Sequence, residues 1–168
     1  MASDANGLKL DVRPYRAADR SGLEAVALAA FAPVYAGIMD TLPDYAAAAF
    51  YPDGWETRER RHVETMLADE DLSFLIAETD SILIGYCGLR VHIDDRMGEV
   101  HVIGVDPLHQ RHGIGRALID AALVRFRNRG LEIAMIETGA DEGHASARAS
   151  YEAMGFDRWD AVRYLTKL

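Results

Sequence analysis

The chain has 168 residues, a length that favours one domain spanning residues 1–168. Apolar residues make up 49% of it and charged residues 27%, which is typical of a globular protein and excludes a disordered or collagen-like chain. The net charge of −9 argues against a protein that binds nucleic acid through a broad cationic surface, and it favours a cationic partner.

The first third of the chain predicts one strand and two helices, from the spacing of its apolar residues and from its helix caps. The predicted segments are a strand at residues 8–12, a helix from Asp19 to Pro33, an irregular stretch over 32–57 with a helical turn at 46–49, and a helix beginning at Thr57. The irregular stretch is expected because it is rich in aromatic residues, proline and glycine.

The rest of the chain alternates strands with two helices. The predicted strands are residues 73–78, 81–92, 99–105, 133–138 and 162–168. The predicted helices, 113–129 and 146–154, are each followed by a glycine suited to a left-handed stop, Gly130 and Gly155. Hairpins followed by a strand–helix–strand–helix–strand order indicate an α+β (mixed α/β) fold with helices on the faces of a sheet, not a doubly wound fold.

Cys87 is the only cysteine of the chain, so an intramolecular disulfide is impossible, and the apolar residues around it predict a buried thiol. The first residues lack the basic start and apolar core of a signal peptide. The most apolar stretch, residues 23–39, is interrupted by Glu24, Pro33 and Gly37 and makes a poor membrane span. We therefore expect a cytoplasmic protein with no membrane partner.

One segment has the features of a binding site. A strand that ends at Val105 runs through a short loop into a helix opened by Gly113 and Gly115. The start of a helix exposes unpaired N–H groups and the positive end of the helix dipole, and glycine lets an anion approach the backbone. The pattern predicts a phosphate site, although it is neither a Walker loop nor a dinucleotide fingerprint. A plain helix start beside a sheet would show the same two glycines.

Two motifs resemble those of a known family. Residues 110–115, Gln-Arg-His-Gly-Ile-Gly, resemble the Gln/Arg-x-x-Gly-x-Gly/Ala signature of the GNAT superfamily of N-acetyltransferases. Residues 147–156, with Tyr151-Glu152 and then Gly155-Phe156, are similar to the family's second motif. The resemblance covers about residues 8–168. It implies a GNAT-like single domain whose central sheet is mixed and mostly antiparallel, with about six to seven strands and about four helices.

The resemblance implies acetyl-CoA as the cofactor and no metal. In the family, amides of the loop and the first helical turn hold the pyrophosphate, and the preceding strand pairs with the pantetheine arm. We expect Gly104 to form a bulge in that strand and the Val105 amide to polarise the thioester carbonyl. His144 stands where the family has asparagine, while His109 and His112 are interpreted as loop residues and not metal ligands. The implied cofactor-binding residues are Ile103, Gly104, Val105, Gln110, Arg111, His112, Gly113, Ile114, Gly115, Arg116, His144, Ala147 and Tyr151.

Three residues are implied as catalytic. Tyr151 matches the family's proton donor to the coenzyme A sulfur, a role that suits a neutral phenol. Glu99 occupies a position where family members often place a carboxylate base, and strand alternation puts it on one face with His101, Ile103 and Val105. His101 is the rival base, since imidazole is well matched to proton transfer near neutral pH. The base is therefore Glu99, His101 or a water molecule.

The acceptor side is acidic. Residues 40–59 hold five carboxylates against one arginine, whereas residues 108–129 hold five arginines against one aspartate. This asymmetry fits an anionic cofactor on one side and a cationic acceptor on the other. The predicted substrate-binding residues are Tyr35, Asp40, Asp53, Trp55 and Asp94.

The leading hypothesis is an acetyl-CoA-dependent N-acetyltransferase of a small cationic amine, such as a polyamine or, in its sharpest version, an aminoglycoside antibiotic. One alternative is acetylation of a protein N-terminus or lysine, which favours an open groove. Another is a non-catalytic acyl-CoA-binding module, which needs no base. A homodimer is compatible with the sequence, and a nucleic-acid partner is not expected.

Overall fold

Residues 9–168 are described by a computed structural model. Within them the strands are β1 (Asp11–Pro14), β2 (Ser73–Thr79), β3 (Ile82–His92), β4 (Met97–Val105) and β5 (Ile133–Ile136). The helices are α1 (Arg20–Thr41), α2 (Asp44–Phe50), α3 (Trp55–Ala68), α4 (Ile114–Asn128) and α5 (Ala145–Ala153). Short 3-10 turns cover Ala17–Asp19, Pro107–His109 and Glu142–His144.

The strands form one sheet in the order β1-β2-β3-β4-β5. Neighbouring strands are antiparallel except β4 and β5, which are parallel. The mixed α+β class is therefore confirmed, but the described residues form five strands and not six to seven. The strand predicted for residues 162–168 does not form, and Trp159 and Tyr164 are 96% and 92% exposed. An alternating sequence is not sufficient for a strand, because a strand is stabilised by its pairs with a neighbouring strand.

The N-terminal half is more helical than the sequence predicts. Helix α1 continues eight residues past Pro33, to Thr41, and most of the stretch expected to be irregular lies in α1 and α2. Proline removes one helical hydrogen bond, but tertiary packing outweighs that loss, because α1 buries Val26 before Pro33 and Val34 after it. Asp19 does precede α1, as predicted, but its carboxylate binds Arg13 and does not cap the helix.

Apolar side chains pack on both faces of the sheet. One core lies between the sheet and α4 and contains the buried residues Leu75, Ile84, Cys87, Val100, Leu118 and Phe126. The other lies between the sheet and helices α1 and α3 and contains Leu23, Val26, Val63, Phe74, Ile76 and Tyr86. Cys87 is buried as predicted, and burial raises its pKa to about 12, so its thiol is not a reactive nucleophile. The sheet is the middle layer of three.

Strand β4 changes its alternation in the middle. Val100 pairs with Leu89 and Val102 with Gly88, so His101 is an extra residue between consecutive pairs. The bulge expected at Gly104 is therefore at His101, because Gly104 itself pairs in register with Tyr86. Strand β5 pairs with β4 only as far as Val100. Beyond the bulge, residues 101–105 have one strand neighbour, β3, and a free edge on the other side.

One helical stretch of the described residues, Ala17–Thr41, meets the criteria of length and composition for a membrane span. A core helix of a globular protein meets the same criteria. Here the stretch buries Leu23, Val26, Ala27 and Val34 within the chain.

Candidate active site

The start of α4 has the geometry of an anion site. Gly113 is the N-cap residue, with φ 79° and ψ 0°, and Arg111 also has a positive φ of 63°. The first hydrogen bond inside the helix runs from the Ala117 N–H to the Gly113 carbonyl at 2.9 Å. The amides of the three residues between them have no partner within the helix. A bound phosphate would find backbone donors and the positive end of the helix dipole here.

Some side chains around this helix start pack or hydrogen-bond within the protein, and others are exposed to solvent. The Ile114 side chain is 1% exposed and belongs to the core, so only its amide can face a ligand. The Gln110 amide nitrogen donates to the Val105 carbonyl at 3.2 Å and braces the loop. The His112 Nδ1 lies 2.9 Å from the Gln110 carbonyl, and Arg116 is exposed. No group of three or more His, Cys, Asp or Glu side chains in the described part of the chain is arranged to hold a metal ion.

The free edge of β4 leads directly to this helix start. Residues 101–105 lack a partner on the β5 side, so their backbone groups are available to an extended ligand. Gly104 lies against the Tyr86 ring, and a Cβ built on it would approach Tyr86 Cε1 to 2.7 Å. The glycine is needed here for this close packing and not for the bulge.

Glu99 lies between two imidazoles. Its Oε2 is 2.6 Å from His92 Nε2, and its Oε1 is 2.9 Å from His101 Nδ1. Burial raises the pKa of Glu99, but the hydrogen bonds to both imidazoles and their charges outweigh it, so the net shift is downward from 4.5. His92 is a site residue that the sequence analysis missed. Pairing β3 with β4 as a hairpin would have placed it diagonally across from Glu99.

The predicted common face of four β4 residues is wrong in part. Before the bulge, Val100 faces the α4 core; after it, Ile103 and Val105 pack against the same core and Val102 packs against the other. Glu99, which alternates with Val100, therefore faces away from Ile103 and Val105. The extra residue reverses the alternation. Glu99 and His101 remain together, as predicted, on the side of α1 and α3.

Tyr151 lies on α5, in the segment that the second motif predicts to be a helix. Its ring centroid is 6.3 Å from that of Phe156, and Gly155 between them has a positive φ of 87°. Burial raises the pKa of Tyr151 to about 12. The phenol is therefore protonated over the whole physiological range.

His144 is engaged within its own loop. Its Nδ1 is 2.7 Å from Asp141 Oδ2, and a Cβ built on Gly139 would approach that Nδ1 to 2.8 Å. The Arg148 guanidinium donates to the Gly139 and Asp141 carbonyls at 2.6 and 2.8 Å. Of the two His144 nitrogens, Nε2 is the one not used in this network. Ala147 lies half-buried in the first turn of α5.

An aromatic and acidic cluster forms on the α1 and α3 side. Tyr35 stacks on Trp55 with ring centroids 4.8 Å apart and meets Tyr51 edge-on at 5.7 Å. Its hydroxyl donates to Glu59 Oε2 at 2.7 Å. Burial, followed by this hydrogen bond, raises the pKa of Tyr35 well above 10.0. Two predicted substrate residues, Tyr35 and Trp55, thus form one cluster with the buried Glu59. The sequence analysis had counted Glu59 only among the five carboxylates of residues 40–59.

The three predicted aspartates are spread more widely. Asp40 lies at the exposed end of α1, and Asp53 lies exposed between α2 and α3. Asp94 lies in the turn before Met97, at the opposite end of β4 from Val105. With a rise of about 3.3 Å per residue, that separation is roughly 25 Å or more. Asp94 therefore belongs to the hairpin tip, far along β4 from the start of α4.

A shallow cavity of about 270 Å³ lies elsewhere, near Ser73, Leu89 and the last turn of α4 at Arg125. None of the predicted site residues lines it. The candidate active site is defined by the α4 start, the β4 edge and the groups around Glu99, and not by this cavity.

Mycothiol acetyltransferases are among the relatives of the chain. That of Thermobispora bispora is 38% identical over 109 residues, covering 62% of this chain and 36% of the relative. That of Stackebrandtia nassauensis is 35% identical over 130 residues, covering 73% of this chain and 42% of the relative. The chain therefore spans less than half the length of these relatives.

Solved structures share the fold at low identity. Aminoglycoside N-acetyltransferase AAC(6')-Iy in complex with CoA is 16% identical, with a TM-score of 0.64 and 97% of both chains covered. The PaiA N-acetyltransferase of Thermoplasma acidophilum in complex with coenzyme A is 17% identical, with a TM-score of 0.68. The match covers 92% of this chain and 94% of that chain. A family model described as Acetyltransferase (GNAT) family matches residues 40–156. The phosphate-type helix start, the fold and this match agree, and the chain belongs to the acetyltransferase (GNAT) family.

Proposed function

We propose that the chain is an acetyl-CoA-dependent N-acetyltransferase that acts on a primary amine of a small cationic acceptor, a polyamine or an aminoglycoside. One observation supports this above the others. The unpartnered amides at the start of α4 adjoin the free edge of β4, and the same strand holds Glu99 and His101. An anion site, a strand edge and a proton acceptor are the parts that acetyl transfer from a thioester carrier requires.

The residues present fit acetyl-CoA. The left-handed Gly113 and the amides after it suit the pyrophosphate, and the backbone of residues 103–105 suits the amide-containing arm. Ile103 and Val105 turn their side chains towards the α4 core, which leaves their backbone groups as the contacts. Bound there, acetyl-CoA would supply an acetyl group activated as a thioester.

His101 is proposed as the general base. An amine in water is an ammonium with a pKa of about 10.4 and must lose a proton before its nitrogen can attack a carbonyl. Glu99 has a lowered pKa and is a weak proton acceptor for that purpose. Its oxygen pairs with His101 Nδ1, which fixes the ring and leaves Nε2 for the acceptor. Glu99 acts as the positioning residue, as the carboxylate does beside histidine in other general-base pairs.

Tyr151 is proposed as the acid that protonates the departing thiolate. Its phenol is neutral, and its pKa of about 12 keeps the proton available at every working pH. Proton donation of this kind is typically worth ~10²–10⁴-fold in rate.

The acceptor is proposed to bind beside α1 and α3. The support comes from the five carboxylates of residues 40–59 and from the aromatic cluster of Tyr35, Tyr51 and Trp55. The names of the relatives widen the range of acceptors worth testing, since they include mycothiol and aminoglycoside acetyltransferases.

The test is release of free thiol from acetyl-CoA by the purified chain across a panel of acceptors. The panel holds polyamines, aminoglycosides, the acceptor of mycothiol acetyltransferases, and peptides with free N-termini or lysines. Turnover with a small cationic amine supports the proposal. Turnover with peptides alone would replace it with protein acetylation, and coenzyme binding without any turnover would replace it with an acyl-CoA-binding module.

A further inference from the structure

Glu59 is a carboxylate in the apolar face of α3. Val63 and Met66 follow it at helical spacing, and Glu59 is as buried as they are, with 2% of its surface exposed. Its Oε2 accepts the Tyr35 hydroxyl proton, but its Oε1 is buried without any hydrogen-bond partner. Within residues 9–168 no lysine or arginine pairs with it. A carboxylate held out of water in this way is costly unless something binds it.

A second orphaned oxygen belongs to the same cluster. Tyr86 is fully buried, and its hydroxyl has no hydrogen-bond partner. Tyr86 packs in the same core as Val63 and Met66, which share the buried side of α3 with Glu59. Burial raises the pKa of Tyr86, and the charges of Glu59 and Tyr35 raise it further. The Tyr86 ring also packs on Gly104, at the strand edge proposed to hold the cofactor. The Tyr86 ring thus connects this cluster to the proposed cofactor edge of β4.

The imidazole near Glu59 does not supply the missing positive charge. Burial lowers the pKa of His62; the charge of Glu59 raises it in part, and that of His101 lowers it again. The net shift is downward from 6.5, so His62 is mostly neutral at pH 7. No hydrogen-bond partner among the described residues therefore reaches Glu59 Oε1.

We propose that Glu59 Oε1 and the Tyr86 hydroxyl oxygen bind a second, non-reacting ammonium group of the acceptor, so that the acceptor is a diamine or longer polyamine. This rests on the proposed acetyl transfer and specifies its substrate. A primary ammonium has three donors and no acceptor, and two of those donors satisfy both orphaned oxygens. The neighbouring Tyr35 ring adds a cation–π contact. Because Oε1 is buried, entry requires the Tyr35–Trp55 stack, one helical turn before Glu59, to shift.

The experiment compares an α,ω-diamine with a monoamine of equal chain length, by kcat/KM and by the shift in Tm that each causes without acetyl-CoA. The wild-type protein should prefer the diamine by roughly tenfold or more, since a hydrogen bond to a charged group is worth ~1.5–3 kcal/mol. Glu59→Gln should abolish that preference and unfold at the same or a higher temperature. The matched control is Glu64→Gln, an exposed carboxylate on the same helix, which should keep the wild-type ratio.

Equal use of diamine and monoamine by the wild-type protein would overturn the inference. So would a Glu59→Gln protein that keeps the diamine preference. Should Glu59→Gln fail to fold, Tyr86→Phe removes the second oxygen without changing charge, and it should also reduce the preference. Absence of turnover with every amine would refute the proposed function instead. In that case the Tm shift caused by the diamine alone, and its loss in Glu59→Gln, still decides the role of Glu59.

Discussion

Under the proposed function, Glu99 positions the reacting groups and does not act as the base. Both carboxylate oxygens are used, one by His92 and the other by His101, and the side chain is 13% exposed. Two hydrogen bonds from opposite sides fix the carboxylate, and the carboxylate in turn fixes each ring. The two histidines differ in place: His92 ends β3 at the hairpin turn, whereas His101 is the bulged residue of β4. Only His101 adjoins the free edge.

His101→Ala should lower kcat by roughly 10²-fold or more and remove the rise of rate with pH, because the group that accepts the acceptor's proton is gone. His92→Ala is the matched control, since it removes the other hydrogen bond to Glu99 but not the proposed base. It should reduce the rate modestly and keep the rise. The measurement is the pH profile of kcat between pH 6 and 9. A His101→Ala protein with the wild-type profile would assign the base to water or to the substrate.

Tyr151→Phe should lower kcat by roughly 10²-fold and leave the KM for acetyl-CoA nearly unchanged, because the ring packing on Phe156 is kept and only the proton donor is lost. The pKa of Tyr151 of about 12 adds a second expectation: in the wild-type protein its ionisation causes no fall in rate up to about pH 10. Steady-state kinetics over that range check both. An unchanged kcat in Tyr151→Phe would show that the thiolate leaves without this proton.

Among the elements, β4 shows which parts of the site follow from sequence and which do not. Local rules predict the start of α4 at Gly113 and its end at Gly130, because left-handed glycines fix both positions. The bulge at His101 depends on how β3 and β4 pair, which a local pattern does not reveal, and it reverses the side-chain faces beyond it. His92 was missed, and Glu59 was counted only among the acidic residues, for a related reason: the hydrogen-bond partner of each lies on another element.

The junction of β1, β2 and α1 depends on one ionic cluster. The Arg13 guanidinium donates to Asp19 at 2.8 Å and to Glu78 at 2.6 Å. The hydrogen bond from Arg13 lowers the pKa of Asp19 below 3.8; burial opposes this, and the Arg16 backbone amide adds to it. A lowered folded-state pKa means that Asp19 contributes stability fully above the unfolded value and loses it as pH falls through the folded value.

Asp19→Asn should therefore reduce the free energy of unfolding at pH 7 by about 1–3 kcal/mol, because a partly buried charged hydrogen bond is lost. The difference between wild type and variant should shrink as the pH falls below about 4. Urea unfolding at pH 7 and at pH 3 measures it. A variant as stable as the wild type at pH 7 would show that the cluster does not stabilise the junction.

The whole molecule separates the two proposed substrates by the faces of its sheet. Helix α4 packs on one face, and its start is the proposed cofactor site; α1 and α3 pack on the other face, where Glu99, His101 and the Tyr35 cluster lie. The charges follow the same division, with arginines along residues 108–129 and carboxylates along residues 40–59. The charge asymmetry follows from the sequence, and the assignment of its two sides to cofactor and acceptor stays a prediction. The free edge of β4, where the two sides meet, could be identified only from the structure, because it depends on where β5 stops pairing with β4.

Titration calorimetry with coenzyme A tests whether the pyrophosphate binds at the start of α4. It compares the wild-type chain with two glycine variants. Gly113→Ala and Gly130→Ala both place alanine at a positive φ, 79° and 72°, at opposite ends of the same helix, so their backbone strain is similar. We expect one site on the wild type, binding weakened roughly tenfold in Gly113→Ala, and near-wild-type binding in Gly130→Ala. No heat of binding on the wild type, or equal weakening in both variants, would contradict a cofactor site at the α4 start.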